Sequence, residues 1–254
     1  MNTSEQVNFE TYAQYYNLLY QDKKYSEEVR YVKDLIDRER LGAFSVLDLG
    51  CGTGMHDKFF VEQGLQVLGV DLSKQMIDIA KKHTCENLKF IQGDARHIEI
   101  GKKFDVVVAL FHVMSYQTTN EDIIRVFNTA CSHLNPAGIF IFDCWYGPAV
   151  LTDRPAVRIK RLENDVIKLA RVSEPKMNPT DNLVEVCFDV FINEQSTGHQ
   201  KEIKEKHIMR YLFYPEIEHF ASNSGFRITV FEEWLTGNKP DFSSWNVVFC
   251  CKKI

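Results

Sequence analysis

The sequence predicts an α/β fold: a mostly parallel sheet with helical crossovers, carrying an antiparallel sheet inserted late in the chain. Three observations lead there. Short apolar strands alternate with helical periods through the first 145 residues, the rhythm of strand–crossover–strand units. The run Val106-Val107-Val108-Ala109-Leu110 is apolar on both faces, as a central parallel strand must be. After residue 155 the rhythm gives way to longer alternating segments, which suit strands joined by turns.

The elements follow in order. Residues 8–38 place Phe9, Tyr12, Tyr15, Tyr16, Leu19 and Tyr20 at helical spacing, so a helical N-terminal cap is expected over 1–40. Strands are expected at 45–49, 66–71, 88–92, 104–111 and 138–143, with helices at 55–63, 73–83 and 120–133 between them. The last helix should stop at the turn Asn135-Pro136-Ala137-Gly138. In 183–192, Val184, Val186, Phe188, Val190 and Ile192 share one face. Two short strands are expected in 157–172 and another in 201–213, with turns at 175–179 and 193–198. A helix near 215–224 and strands at 226–234 and 245–252 return to the first rhythm. The expected organisation is one domain over 1–254: the cap, a core at 41–156, an antiparallel insertion at 157–213, and closing elements at 214–254.

Composition narrows the classes. A hydrophobic content of 44% over 254 residues is enough for a large core. The net charge of −5 speaks against a nucleic-acid binder, which carries a basic footprint. No apolar run is long enough for a membrane span, and Met1 to Glu10 is polar, unlike a secretion signal. The seven cysteines contain no CxxC pair, so no metal site and no disulfide framework is expected; free thiols suit the cytoplasm.

The most informative stretch is Val46-Leu47-Asp48-Leu49-Gly50-Cys51-Gly52-Thr53-Gly54, a strand running into a loop with glycine at every second position and then into a helix. Such a loop turns tightly and delivers a ligand to a helix N-terminus. A dinucleotide loop has glycine at its first, third and sixth positions, and here the sixth is Met55. GxGxG after the acidic Asp48 instead resembles the first motif of the class I S-adenosylmethionine-dependent methyltransferases. Val70-Asp71-Leu72-Ser73 at the second strand end and Gly93-Asp94-Ala95 at the third extend that resemblance over residues 40–145. It implies a Rossmann-like, seven-stranded methyltransferase sheet that binds S-adenosylmethionine and releases S-adenosylhomocysteine.

Such a site must hold an adenosine, a ribose and a sulfonium with its amino-acid tail, outside the carboxyl ends of the strands. The loop residues Gly50, Cys51, Gly52 and Gly54 would lie against the donor, and Asp48 would meet its charged end. Asp71 would accept the ribose hydroxyls, Asp94 with Ala95 the adenine amine, while Leu72 and Leu110 cover apolar parts. Taken singly, Asp71 or Asp94 could equally be a helix cap.

Longer stretches narrow the resemblance. Cys51-Gly52-Thr53-Gly54-Met55-His56, the Tyr-rich leader, the late insertion and Asp143-Cys144-Trp145-Tyr146 together look like the methyltransferases of nucleotide-linked deoxyamino sugars. That family implies Tyr16 near the substrate, Tyr25 on the donor, and Asp143, Trp145, Tyr146 and Pro148 on the sugar nucleotide. Where members carry a histidine after the fourth strand, this chain has Tyr116, and His112 comes a turn earlier. His112 is the candidate general base, with Tyr16 and Tyr116 as orienting groups. Arg154, Arg158, Lys160 and Arg161 read either as solvated strand charge or, Arg158 above all, as a grip on a diphosphate. Leu110-Phe111-His112-Val113 takes the place of the Asn/Asp-Pro-Pro-Tyr of the DNA amino methyltransferases. The expected function is methyl transfer to nitrogen or oxygen of a nucleotide-linked sugar. The alternatives are another small acceptor, such as an amino acid or polyketide, or a non-catalytic binder of the cofactor. The open edges of the inserted sheet make a homodimer conceivable.

Overall fold

The computed structural model describes Tyr16 and residues 18–254; Phe9, Tyr12 and Tyr15 of the leader lie outside the described residues. α1 (Tyr25–Glu39) carries Val29, Val32, Leu35 and Ile36 at helical spacing, all of them buried. β1 (Ser45–Leu49), α2 (Met55–Glu62), β2 (Gln66–Asp71), α3 (Lys74–Ala80), β3 (Leu88–Gln92) and β4 (Phe104–Ala109) follow. Then come a 3-10 turn (Val113–Tyr116), α4 (Asn120–His133), β5 (Leu134–Trp145) and α5 (Gly147–Thr152). Side chains cap two helices: Ser73 Oγ accepts Met76 N–H at 3.3 Å and Thr119 Oγ1 accepts Asp122 N–H at 3.1 Å.

β6 (Arg158–Glu163), β7 (Ile167–Asn178), β8 (Leu183–Glu194) and β9 (Gln200–Arg210) form a four-stranded antiparallel sheet of their own. α6 (Tyr214–Asn223), β10 (Phe226–Glu233) and β11 (Asn246–Lys253) then complete a seven-stranded sheet in the order β10-β11-β5-β4-β1-β2-β3. Pairings among β1 to β5 are parallel, and β11 runs antiparallel to both β5 and β10.

Alternate residues of the central strands feed two cores. Leu47, Val107, Phe140, Phe142 and Phe249 pack with Phe127 of α4 and Phe220 of α6. Val46, Val106, Val108, Ile141 and Val248 pack on the other face with α1 and Phe60 of α2. Helices therefore cover both faces, which leaves the carboxyl ends of β1, β2, β4 and β5 as the open end of the sheet.

Four boundaries differ from the sequence reading. The strand expected over 104–111 stops at Ala109, because Phe111 (φ 63°) and His112 (φ 67°) turn left-handed. The helix expected over 73–83 is α-helical only to Ala80 and finishes as a 3-10 turn at Lys81–His83. The expected turn at 135–138 is absorbed into β5 as an irregularity: Phe104 opposes Leu134 while Val106 opposes Ile139, and Ala137 (φ 56°) bulges out. Pro175-Lys176-Met177 is strand, not turn. β6 pairs only as far as Ser173, so Pro175 sits where β7 has become an edge and its missing N–H removes no ladder bond on that side.

Candidate active site

A cleft of about 1510 Å³ runs from the glycine loop across the end of the sheet to the inner face of β6–β9. At the donor end, Gly50 and Cys51 donate their N–H groups to Val70 O at 2.7 and 2.9 Å, which folds the loop back over β2. Asp71 joins the two strand ends: its Oδ2 accepts Gly52 N–H and its Oδ1 accepts Ser73 N–H, both at 2.8 Å. Burial raises its carboxyl above the usual range, with the two N–H donors acting the other way. The glycines differ in role. A Cβ on Gly50 would meet Val113 at 2.4 Å and one on Gly54 would meet Phe90 at 2.6 Å, whereas one on Gly52 would meet nothing within 4 Å. Gly52 thus leaves open space facing the cleft, and the loop fits an elongated ligand lying against its backbone.

Leu72, Asp94, Ala95 and Leu110 also line the cleft. Asp94 is already gripped by Arg96, with Nε–Oδ1 at 2.9 Å and Nη2–Oδ2 at 2.7 Å, and Arg96 reaches Asp122 at 3.3 Å. Burial alone would raise the Asp94 carboxyl, but the Arg96 hydrogen bonds take it below the ordinary range. Arg96 was not singled out from the sequence.

Tyr25 reaches the cleft from α1, stacked edge-on against His56 at 4.9 Å. His56 Nε2 lies 2.7 Å from Glu28, which also pairs with Lys23. This Lys23–Glu28–His56 set, with Glu28 and His56 buried, ties α1 to the first turn after the glycine loop. Burial opposes ionisation of Glu28, yet its contacts with His56 and Lys23 carry its carboxyl below the usual value.

Past the loop, His112 stands on the strained turn that closes β4. Two consecutive left-handed residues cost about 1–2 kcal/mol each, and Asp143 compensates from the end of β5. It accepts His112 N–H at 3.1 Å, and its Oδ2 lies 2.7 Å from His112 Nδ1, poorly aligned for a hydrogen bond but close enough for strong attraction. Burial works against the Asp143 charge, but the His112 ring and backbone keep its carboxyl below the usual range. Lys23 lies 4.0 Å over the Phe111 ring and Tyr20 meets that ring edge-on at 5.1 Å, so the leader packs on the same turn.

The far wall is aromatic and cationic. Trp145 and Trp245 meet at 5.6 Å, and Arg171 lies 4.7 Å over Phe188; all four line the cleft together with Tyr16 and Arg158. Tyr116 Oη is 2.9 Å from Nδ1 of His207, whose Nε2 is 3.2 Å from Glu205. His207, Glu205 and Arg171 were not singled out either. A signal was present: residues 203, 205, 207 and 209 share one strand face, and on it a glutamate and a histidine sit between Ile203 and Met209, both buried.

Several expected contacts fall outside the cleft. Asp48 is buried behind the loop against Asp57; burial, opposed by the Asp57 hydrogen bond, pushes its carboxyl up to about 6, and burial with the Asp48 charge holds Asp57 well above the usual range. Two acidic groups this close disfavour ionisation of both together. Gly54 is the left-handed cap of α2, packed on Phe90. Asp143 faces His112 rather than open space. Tyr146 packs on Phe231 at 5.6 Å, and Pro148 opens α5; neither lines the cleft.

Residues 46–138 match the family model for a methyltransferase domain. The dTDP-3-amino-3,4,6-trideoxy-alpha-D-glucopyranose N,N-dimethyltransferase of Streptomyces venezuelae is 28% identical over 228 residues, 89% of this chain and 94% of that protein. The dTDP-3-amino-3,6-dideoxy-alpha-D-glucopyranose N,N-dimethyltransferase of Streptomyces fradiae is 26% identical, covering 75% and 74%. Among solved structures, DesVI of Streptomyces venezuelae superposes with a TM-score of 0.80 at 24% identity, covering 94% of this chain and 97% of that one. The S-adenosylmethionine-bound amino pentose methyltransferase CalS10 of Micromonospora echinaspora gives 0.77 at 22%, covering 99% and 100%. Domain match, relatives and fold agree on one activity: this chain is an S-adenosylmethionine-dependent methyltransferase.

Proposed function

We propose that this enzyme methylates the amine of a nucleotide-linked deoxyamino sugar. The carrying observation is that one continuous cleft joins the glycine loop to a wall holding Arg158, Arg171 and the Trp145–Trp245 pair. A nucleoside diphosphate brings negative charge and a flat base, and cations and indole faces answer both. The activities of these relatives, on dTDP-linked aminosugars, support the same acceptor class.

In this reading Asp71 takes the ribose, Asp94 and Leu72 the adenine end, and Gly52 with Tyr25 the donor's middle. Bound S-adenosylmethionine supplies a methyl group already activated by its positive sulfur. The chain's own task is alignment, which can account for much of the rate, and keeping the acceptor nitrogen neutral. Tyr16 and Tyr116 border the acceptor space, and His112, held by Asp143, stands between it and the donor end. A histidine so backed is also what a hydroxyl acceptor would need, which favours a neutral sugar as the second reading. Free cysteines throughout support action in the cytoplasm.

The test is incubation with S-adenosylmethionine and a panel of dTDP-linked amino and neutral sugars, read by mass spectrometry. Products heavier by one or two methyl groups from aminosugars alone are expected. Methylation of neutral sugars alone would transfer the reading to oxygen, and no product from any member would sink it.

A further inference from the structure

A second histidine–carboxylate pair stands at the acceptor half of the cleft, with His207 in its lining 95 positions after His112 and Glu205 buried behind it. Glu205 and His207 are two residues apart on β9, so both point from its inner face. The Phe188 ring, 4.8 Å from His207, covers them, and Tyr116 closes the chain from the 3-10 turn. Both side chains are buried, and Glu205 Oε1 makes no hydrogen bond among the described residues. A carboxylate in that position is costly unless its charge is used. Arg171, Tyr20 and Asp71 are further charged or titratable groups whose fields reach Tyr116.

We propose that Tyr116, His207 and Glu205 form a proton relay that keeps the acceptor nitrogen neutral, an inference that rests on the aminosugar reading. An ionised Glu205 only accepts hydrogen bonds, so His207 carries its proton on Nε2 and presents a bare Nδ1. Tyr116 then donates to Nδ1, and its oxygen retains lone pairs for a proton arriving from the cleft. Methylation of a neutral amine leaves an ammonium. Its N–H bond breaks as a new O–H bond forms at Tyr116, while the original tyrosine proton moves to His207 Nδ1. Positive charge passes from nitrogen to imidazole, where Glu205 balances it, and His207 returns the proton to water through the cleft it lines. The amine is again neutral and can take a second methyl group. Tyr116 is the catalytic residue in this scheme; His207 and Glu205 are positioning residues, in the sense that a carboxylate fixes the histidine of a hydrolytic triad.

Two measurements test it. In histidine-¹⁵N-labelled full-length protein, two-bond proton–nitrogen spectra should show one imidazole locked with its proton on Nε2. That signal should vanish in His207→Gln and become a tautomer mixture in Glu205→Gln. An Nδ1-protonated or permanently charged His207 overturns the relay, whatever the acceptor proves to be. With dTDP-3-amino-3,4,6-trideoxy-α-D-glucopyranose as probe, Tyr116→Phe should lower kcat by about a hundredfold. Glu205→Gln should move the acid limb of kcat to lower pH, since an imidazole without its carboxylate is a weaker base, and should raise the share of monomethylated product. Glu205→Asp should restore much of the rate, and S-adenosylmethionine binding, measured by calorimetry, should stay unchanged as the control for folding. A Tyr116→Phe rate within twofold of the parent, or an unshifted Glu205→Gln profile, overturns the relay. If the parent protein methylates no aminosugar, the acceptor reading falls while the tautomer measurement still decides the relay.

Discussion

The proposed donor end of the cleft draws mainly on residues 50–95 at the ends of three neighbouring parallel strands, with Tyr25 from α1 and Leu110 after β4 beside them, and is held largely by backbone hydrogen bonds. The acceptor end gathers Tyr16 from the leader, His112 and Tyr116 from the turn after β4, Trp145 from β5, and Arg158, Arg171 and His207 from a second sheet. One end is local and constrained by chain geometry; the other is a meeting of distant side chains. A donor common to many reactions suits the first construction, and an acceptor peculiar to one enzyme suits the second. The contrast predicts that changes at the donor end cost stability or donor affinity, while changes at the far wall cost acceptor binding or turnover and leave donor affinity intact.

The largest effect is expected within the glycine loop. Gly54→Ala adds a methyl group 2.6 Å from Phe90 at a φ of 76° and should destabilise the fold by about 3 kcal/mol, seen as a lowered Tm. Gly52→Ala, with φ 56° and open space around it, should cost only about 1 kcal/mol of stability but weaken S-adenosylmethionine at least tenfold by calorimetry. Unchanged donor affinity in Gly52→Ala would break the contrast, since the loop would then be a turn and not a cradle.

The next effect is of opposite sign. Asp48 has a folded value near 6, above its unfolded value, so it binds more protons when folded and stability falls as pH rises between the two. Asp48→Asn should therefore stabilise the protein by about 2 kcal/mol above that window, with the gain disappearing below the ordinary carboxylate range. Chemical denaturation at several pH values reads this directly, and a variant that loses stability at high pH would show the pair to be ionised and otherwise neutralised. The smallest effect is at the far wall. Arg158 is exposed, so Arg158→Ala should raise KM for the nucleotide sugar about fivefold, near 1 kcal/mol, with donor affinity intact.

The same contrast explains what could be read from the sequence. The ends of β1, β2 and β3 were legible to the residue, because each strand is a short apolar run closed by glycine or aspartate, and the proposed donor residues are those closing groups. The true place of Asp48 was not: a strand acid before a glycine loop looks ligand-facing until Asp57, on the following helix, is seen to face it. Pro175 read as a turn because proline removes a ladder donor, a cost that vanishes at an edge no local pattern reveals. At the acceptor end, Tyr116 and His207 touch across 91 residues, and only the register of a separate sheet brings them together.

That separate sheet makes its ladder within itself; a single isolated bridge, Tyr146 to Leu212, is the strand-like link at its root among the described residues. Backbone hydrogen bonding of the catalytic core is thus satisfied without β6–β9. The inserted hairpins can therefore vary in length and sequence without breaking a ladder of the seven-stranded sheet beneath them.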